Sequence, residues 1–229
     1  MSHLRCIVVG VVVLQFVCTM VSGQTPPAQT DVYHVHFTKA VPGQATALGD
    51  FLKAGDSSAP MPGHFIVLRH QQGDDWDYCV IEHLGTKATI EATPAPANPG
   101  RDLRAWHNDT FVSGPSWAEF TKAMGMGDAS ASTGGSVYSV AVWRAAPGHR
   151  DELAKSLSAV NANAKVPIGQ VLLTHIEGGP WQYLAVSRYN SWQDFATDQA
   201  AGVNDTGWAD VRQHGTFHHD TLADRIAPR

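Results

Sequence analysis

The chain has 229 residues, of which 16 are Lys or Arg and 21 are Asp or Glu, so its formal net charge is −5 at pH 7. This acidic balance argues against nucleic acid as a partner, because binding to a phosphate backbone draws on clustered Lys and Arg. At this length, with 43% hydrophobic residues, the chain can bury one large core or two small ones.

The N-terminus has the pattern of a secretory signal peptide. Arg5 supplies a positive charge, residues 6–18 form a short apolar core, and residues 21–23 are small side chains before the expected cleavage site. We therefore predict that residues 1–23 are removed and that the folded part is periplasmic or secreted, without contact to a membrane. The alternative is an uncleaved anchor, because residues 6–23 carry no charge over a length at the lower limit for a membrane span.

The rest of the chain contains an internal repeat. When the sequence is shifted by 105 positions, residues 31–86 align with residues 136–191 without a gap. A gapless match that keeps tryptophan predicts two copies of one structural unit. The matched pairs include Val32/Val137, Tyr33/Tyr138, Val35/Val140, Pro42/Pro147, Gly43/Gly148, Leu48/Leu153, Leu52/Leu157, Pro62/Pro167, His70/His175, Gly73/Gly178, Trp76/Trp181 and Tyr78/Tyr183.

Each unit begins with a strand and a helix. In the first unit, "VYHVHFTKA" alternates between apolar and polar residues, which predicts a strand over residues 32–40. Pro42-Gly43 then opens a helix, in which Leu48 and Leu52 lie one turn apart. The stretch 64–84 holds two apolar runs around a Gly-Asp-Asp turn, the pattern of a hairpin.

The second half of each unit predicts one more helix and one more strand. The helical region begins at Thr86 in the first copy and Ser191 in the second, and the last strands begin at Thr110 and Thr216. The order is βαββαβ in both copies. We place the units at residues 31–123 and 136–223, joined by a linker at 124–135 that is rich in Gly, Ala and Ser.

A βαββαβ unit forms a four-stranded antiparallel sheet with both helices on one face, so its other face needs cover. Two units in one chain can cover each other. In this respect the sequence resembles the dimeric α+β barrel superfamily, which includes antibiotic-biosynthesis-type monooxygenases, muconolactone isomerase and stress-responsive barrel proteins. The resemblance covers about residues 31–223 and rests on the element order, the hairpin and the repeated Val-Tyr-x-Val…Pro-Gly opening. It implies an α+β fold in which two tandem ferredoxin-like units pack sheet to sheet as a single-chain pseudo-dimer.

Strand alternation predicts which side chains face the space between the sheets. Tyr33, Val35 and Phe37 match apolar residues of the second copy, so we expect them to face the helices. That leaves His34 and His36 on the inner surface, beside Tyr78 and Glu82, because in this fold the first strand lies between the third and the fourth. The same rule predicts a mainly aromatic ligand-binding surface, as in small-molecule pockets, formed by Trp76, Tyr78, Glu82, Trp143, Trp181 and Tyr183.

Two histidines and an arginine are the candidates for catalysis. His34 or His36 can act as a general base, because imidazole titrates near neutral pH. Arg69 can stabilise an anionic oxygen. The resemblance implies cofactor-independent oxygenation or isomerisation of an aromatic or hydrophobic substrate, so we expect no cofactor. A two-histidine, one-carboxylate metal site formed by His34, His36 and Glu82 is an alternative.

Other functions remain open from the sequence. The chain could be a non-enzymatic ligand-binding or scaffold protein of the envelope, or a barrel that binds haem or metal, and self-association is also left open. Signatures of α/β-hydrolases, phosphate-binding loops and dinucleotide-binding folds are absent. We expect Cys79 to be a buried, unreactive thiol, and turn-capping roles for His70 and His175. A solvated C-terminal segment is favoured over a metal site for His214, His218, His219 and Asp220.

Overall fold

A computed structural model describes residues 28–91, 100–127, 136–163, 166–178, 180–202 and 206–228. The expected signal peptide and most of the expected linker lie outside these ranges. No helix among the described residues is long and apolar enough to cross a membrane.

Both units have the predicted βαββαβ order. The first unit contains β1 (Asp31–Ala40), α1 (Ala45–Ala54), β2 (Phe65–Gln72), β3 (Tyr78–Gly85), α2 (Lys87–Glu91), a 3₁₀ turn (Arg101–Leu103) and β4 (Arg104–Gly114). After α3 (Trp117–Met124), the second unit contains β5 (Val137–Ala145), α4 (Arg150–Asn163), β6 (Gly169–Gly178), β7 (Tyr183–Tyr189), α5 (Trp192–Gly202), α6 (Thr206–His214) and β8 (Gly215–Ala227). β4 begins six residues before the predicted position, and the second helical region of the second unit is divided into α5 and α6.

The repeated Pro-Gly pairs have a conformational reason. Gly43 and Gly148 both have φ of +81°, a backbone conformation that side chains with a Cβ rarely adopt. Each glycine lies between the first strand and the first helix of its unit, so it turns the chain back over the sheet.

The eight strands form one closed antiparallel barrel in the order β1-β3-β2-β8-β5-β7-β6-β4. The first unit supplies the sheet β2-β3-β1-β4 and the second supplies β6-β7-β5-β8. The two sheets join by hydrogen bonds between β2 and β8 and between β4 and β6. The predicted single-chain α+β pseudo-dimer is confirmed, and closure leaves none of the eight described strands at an unpaired sheet edge.

Apolar side chains from all eight strands fill the barrel interior. In a closed ring of strands, only the interior can bring residues from every strand together. One buried cluster does so, with Tyr33, Ile66, Cys79, Val112, Tyr138, Val171, Leu184 and Ala223 as one member from each strand. Burial raises the pKa of the Cys79 thiol, in agreement with an unreactive role.

The predicted assignment of the strand faces is wrong. Tyr33, Val35 and Phe37 line the interior instead of facing the helices. Leu48 and Leu52 of α1 pack on the opposite face of the sheet. Alternation separates the two faces but does not orient them when both are buried, one by the barrel and one by helices. The side chains that therefore move from the predicted inner surface to the outer face are His34, His36, Arg69, Tyr78, Glu82, Trp143 and Tyr183.

Helix α3 closes one end of the barrel. Its residues Phe120 and Met124 belong to the interior cluster, and the Tyr138 hydroxyl donates a hydrogen bond of 2.9 Å to the carbonyl of Met124. The helix begins at Ser116, whose hydroxyl accepts from the backbone N–H of Glu119 in a capping box. The segment that joins the two units therefore also seals their shared core.

Candidate functional site

A cluster of polar side chains lies on the outer face of the first unit's sheet. His34 and His36 lie two residues apart on β1, so both point to this face. Glu82 of β3 lies opposite His34, and Asp109 of β4 lies opposite His36. His107 lies two residues before Asp109 on the same face. We call these five residues the histidine site.

His34 is held between two carboxylates. Its Nδ1 lies 2.9 Å from Glu82 Oε2, and its Nε2 lies 3.2 Å from Asp109 Oδ1. Burial alone would lower the pKa of His34, but its hydrogen bonds to Asp109 and Glu82 raise that pKa to about 9. The ring is therefore a doubly donating imidazolium at neutral pH.

His36 is in the opposite protonation state. Its side chain is buried and its ring stacks on His34, with centroids 5.4 Å apart. Burial, and then the positive charge of His34, lower the pKa of His36 to about 4, so it is a neutral imidazole at pH 7. Within the described part of the chain its buried Nε2 has no hydrogen-bond partner. A buried nitrogen without a partner is costly, so a hydrogen-bond donor that reached it would be held there.

Asp109 links the site to the surface. Its Oδ2 lies 2.9 Å from Nε2 of His107, and its Oδ1 faces His34. Burial opposes the charge of Asp109, but the hydrogen bond and the charge of His34 hold its pKa below its usual range. The ring of Phe111, 39% exposed, lies 5.4 Å from the ring of His34 and adds an apolar surface. The histidine site thus combines a cation and a neutral imidazole, and an accessible aromatic ring lies beside it.

The second unit lacks this arrangement. Ser139, Ala141 and Ser187 stand at the positions of His34, His36 and Glu82. Trp143, at the position of Thr38, is buried and stacks on His218 with centroids 4.4 Å apart. An aromatic and helical layer therefore fills the equivalent face.

Three other predicted site residues lie on the outer face but outside the histidine site. Arg69 lies two strands from β1, where its guanidinium donates to both carboxylate oxygens of Asp224 at 3.1 and 2.8 Å. The Tyr78 hydroxyl donates to the carbonyl of Ala45 at 2.7 Å, and Tyr183 makes the same contact to Arg150 at 2.8 Å. Both tyrosines anchor the first helix of their unit.

Two of the three predicted tryptophans, Trp76 and Trp181, lie inside the barrel, at the end away from α3. Phe37 lies between Trp76 and Trp181, with ring centroids 5.5 and 6.4 Å away. His70 and His175 lie beside them, 5.6 and 5.8 Å from Trp76 and Trp181. The predicted ligand surface is thus divided between the interior and the outer face.

The structure brings His34, His36 and Glu82 together, but both nitrogens of His34 already face carboxylates. Among the described residues, no group of three or more His, Cys, Asp or Glu side chains is arranged to hold a metal ion. The C-terminal histidines are also separated. His214 faces His149, His218 stacks on Trp143, and His219 lies 3.5 Å from Asp74.

The sequence patterns did not indicate Asp109 and His107 as parts of the histidine site, or Phe111 beside it. The predicted start of β4 at Thr110 left the two polar residues outside the strand. The alternation of polar and apolar residues in "RAWHNDTFV" starts at Arg104, and this pattern was the signal in the sequence for an earlier start of β4. Pairing of β4 with β1 then places these residues beside the two histidines.

Comparison with known proteins gives structural neighbours only. No family model matches the sequence, and no curated protein matches it significantly. An anthrone oxidase-like protein is 14% identical, with a TM-score of 0.62 over 88% of this chain and 93% of that chain. A "putative monooxygenase" of Lactobacillus acidophilus is 7% identical, with a TM-score of 0.51 over 86% and 94%. One of Fusobacterium nucleatum is 6% identical, with a TM-score of 0.56 over 86% and 93%. At these identities the likeness shows a shared fold.

Proposed function

We propose that the chain is a cofactor-independent monooxygenase that acts on a small, planar aromatic substrate with an acidic C–H group, of the anthrone type, at the histidine site. The observation that carries this proposal is the pair of stacked histidines in opposite protonation states, one of which has a buried, unpartnered Nε2. The names of the structural neighbours support the same reaction class.

The reaction needs a base first. Neutral His36 accepts the acidic C–H proton on Nε2, which leaves a carbanion delocalised as an enolate. The negative charge of the enolate lies beside the His34 imidazolium, which stabilises it. The same negative charge also stabilises the protonated form of His36. The low pKa of His36 in the free protein thus keeps its ring neutral, without the proton that it has to accept, over most of the pH range.

The substrate is the electron source in this scheme. The enolate reduces dioxygen, the two combine as a hydroperoxide at the same carbon, and loss of water leaves a ketone. The balance is R₂CH₂ + O₂ → R₂C=O + H₂O, with one oxygen atom in the product and the other in water. His36 returns the first proton to the peroxide anion, accepts the second proton of the same carbon as the O–O bond breaks, and gives that proton to the departing hydroxide.

In this proposal His34 takes the role that the sequence suggested for Arg69. The cation of Arg69 is already paired with Asp224 and lies two strands away. His34 lies beside His36 and is charged because Asp109 and Glu82 hold both of its ring protons. The signal-peptide pattern supports the further proposal that the enzyme acts in the periplasm or outside the cell.

The test is oxygen consumption. An anthrone is added to the purified protein, and dioxygen uptake and the absorbance of the quinone product are followed together. We expect one dioxygen consumed per ketone formed, and loss of turnover in the double variant His34→Ser/His36→Ala. This variant gives the first unit the residues that the second unit already has at these positions, so the fold should tolerate it.

The matched control is Ser139→Ala, which alters the same face in the second unit and should leave turnover unchanged. Equal turnover in the wild type and the double variant contradicts the proposal. Substrate binding without oxygen uptake would instead identify a non-enzymatic ligand-binding protein.

A further inference from the structure

We propose that His149 and His214 form a binding site for a divalent transition metal ion such as Cu²⁺, Ni²⁺ or Zn²⁺, on the helical layer of the second unit. A hydrogen bond of 2.9 Å joins their Nδ1 atoms, although the residues are 65 positions apart in sequence. His149 directly precedes α4, and His214 is the last residue of α6. The site lies in the opposite unit from the histidine site and does not depend on the proposed reaction.

The backbone presets the distance between the two rings. The N–H of Ala146 donates to the carbonyl of His214 at 2.8 Å, and the N–H of His149 donates to the carbonyl of Ala146 at 2.9 Å. The carbonyl of His149 in turn accepts from the N–H of Leu153 at 2.9 Å, in the first turn of α4. The backbones of both histidines are thus hydrogen-bonded to Ala146, so little conformational entropy is lost when a metal binds.

The spacing of the nitrogens fits coordination to one ion. Two imidazole nitrogens at about 2.0–2.1 Å from a metal, in positions at right angles, lie about 2.9 Å from each other. Neutral imidazole is a ligand that suits copper, nickel and zinc. The pair is on the surface, so water can complete the coordination sphere.

A carboxylate lies behind one of the two rings. Oδ1 of Asp210 is 3.7 Å from Nε2 of His214, and the other carboxylate oxygen accepts a hydrogen bond from Ser156. A negative charge beside Nε2 favours the tautomer with its proton there, so Nδ1 of His214 accepts the hydrogen bond from Nδ1 of His149. Carboxylates commonly orient metal-binding histidines in this way. A metal ion takes the place of the proton of this hydrogen bond and binds both Nδ1 atoms, and the ring of His149 then carries its proton on Nε2.

A second histidine pair in the chain supplies a control. The Nδ1 atoms of His64 and His83 lie 3.1 Å apart, but His83 is 4% exposed and its Nε2 lies 2.8 Å from Asp31. Trp117 stacks on both rings. This pair has a similar spacing but is enclosed, so it should not bind metal from solution.

The test is calorimetric titration of the purified protein with Cu²⁺, Ni²⁺ and Zn²⁺ at pH 7.5, with electron paramagnetic resonance of the Cu²⁺ complex. We expect one ion per chain and a copper spectrum with coupling to two nitrogens. His149→Ala and His214→Ala should each weaken binding by about 100-fold or more, because the second ligand no longer acts intramolecularly. His64→Ala and the double variant His34→Ser/His36→Ala should leave the affinity unchanged.

Three results would overturn the proposal: no binding below millimolar metal, unchanged affinity in His149→Ala, or loss of binding only in the His34→Ser/His36→Ala variant. Circular dichroism checks that each variant is folded. If His214→Ala is unfolded, the result for His149→Ala decides the test, because His149 is exposed in a turn and its replacement should not disturb the fold. Bound Zn²⁺ should also raise the Tm of the wild type but not of His149→Ala.

Discussion

The two units of the barrel have the same arrangement of strands and enclose one interior. They differ in the side chains on the outer faces of their sheets. In the second unit, Trp143, Leu153 and Val211 form a buried apolar cluster between the sheet and helices α4 and α6. In the first unit, part of the same face holds His34 and His36 between carboxylates, beside the exposed ring of Phe111. Within the described residues, the second helical region of the first unit has five residues in α2, and that of the second unit has 11 in α5 and 9 in α6.

This difference shows how a duplicated fold can divide its tasks. Burying imidazoles and carboxylates has a desolvation cost, whereas burying apolar side chains has none. A barrel closed by both units shares its interior, so apolar packing in the second unit can offset the cost of a polar face in the first. Five predictions test this division.

The largest expected effect is the loss of turnover in the first unit. His36→Ala should lower kcat/KM for an anthrone by about 10²–10⁴-fold, the usual contribution of a general base. The second-unit variant Ser139→Ala should not change it. Steady-state oxygen uptake measures both, and a similar loss in the two variants would remove the distinction between the faces.

Trp143→Ala should be the most destabilising change in the second unit. Removal of a buried tryptophan typically lowers the free energy of unfolding by about 3–5 kcal/mol. Thr38→Ala, at the equivalent position of the first unit, should cost about 1 kcal/mol, because it removes mainly one hydrogen bond to the carbonyl of Trp106. Urea denaturation of both variants measures the contrast, and equal costs would contradict it.

The pH dependence of turnover should be bell-shaped. The acidic limb follows deprotonation of His36, with a pKa of about 4, and the alkaline limb follows loss of the His34 proton, with a pKa of about 9. Asp109→Asn should move the alkaline limb to lower pH, because it removes an interaction that raises the pKa of His34. The profile of kcat/KM measures both limbs. An alkaline limb unmoved by this variant would show that His34 does not set it.

The same two histidines should give the fold a stability maximum near pH 6.5. The folded-state pKa of His34 is raised, so its contribution is full below about 6.5 and is lost as the pH rises through 9. The folded-state pKa of His36 is lowered, so its contribution is full above about 6.5 and is lost as the pH falls through 4. In His34→Ser/His36→Ala the free energy of unfolding should vary less with pH between 4 and 9, as urea titrations across that range can show.

The smallest effect is expected from Arg69→Ala. Its pair with Asp224 lies at the seam between β2 and β8, and the Arg69 side chain is 52% exposed. Exposed ion pairs contribute about 0–1 kcal/mol. Stability should change by no more than this and oxygen uptake not at all, and a large loss of uptake would restore Arg69 as a catalytic candidate.

Much of the fold could be predicted from the sequence. The gapless repeat kept Trp76 and Trp181, and the repeated Pro-Gly turns mark where Gly43 and Gly148 take positive φ. These local signals survive because turns and strand alternation depend on near neighbours in the chain. They led to the βαββαβ order, and the resemblance to the dimeric α+β barrel superfamily then implied the pairing of β1 with β3 and β4 and the barrel.

The candidate site was predicted only in part. His34, His36 and Glu82 were named together, since residues two apart on a strand share a face and the fold pairs their strands. Asp109 was missed, because its place beside them depends on how far β4 extends along β1. Arg69 was named but pairs with Asp224, a residue 155 positions away whose contact no local pattern encodes.

The sequence by itself determined the duplicated unit, its order of elements and the two alternating sets of side chains on each strand. Only the tertiary structure decided which set lines the barrel and which lies beneath the helices, because both sets are buried and both contain apolar residues. It also decided the charge of each histidine. His34, flanked by two carboxylates, keeps its second ring proton at neutral pH, whereas its buried neighbour His36 is neutral. This contrast arises only when the strands β1, β3 and β4 come together.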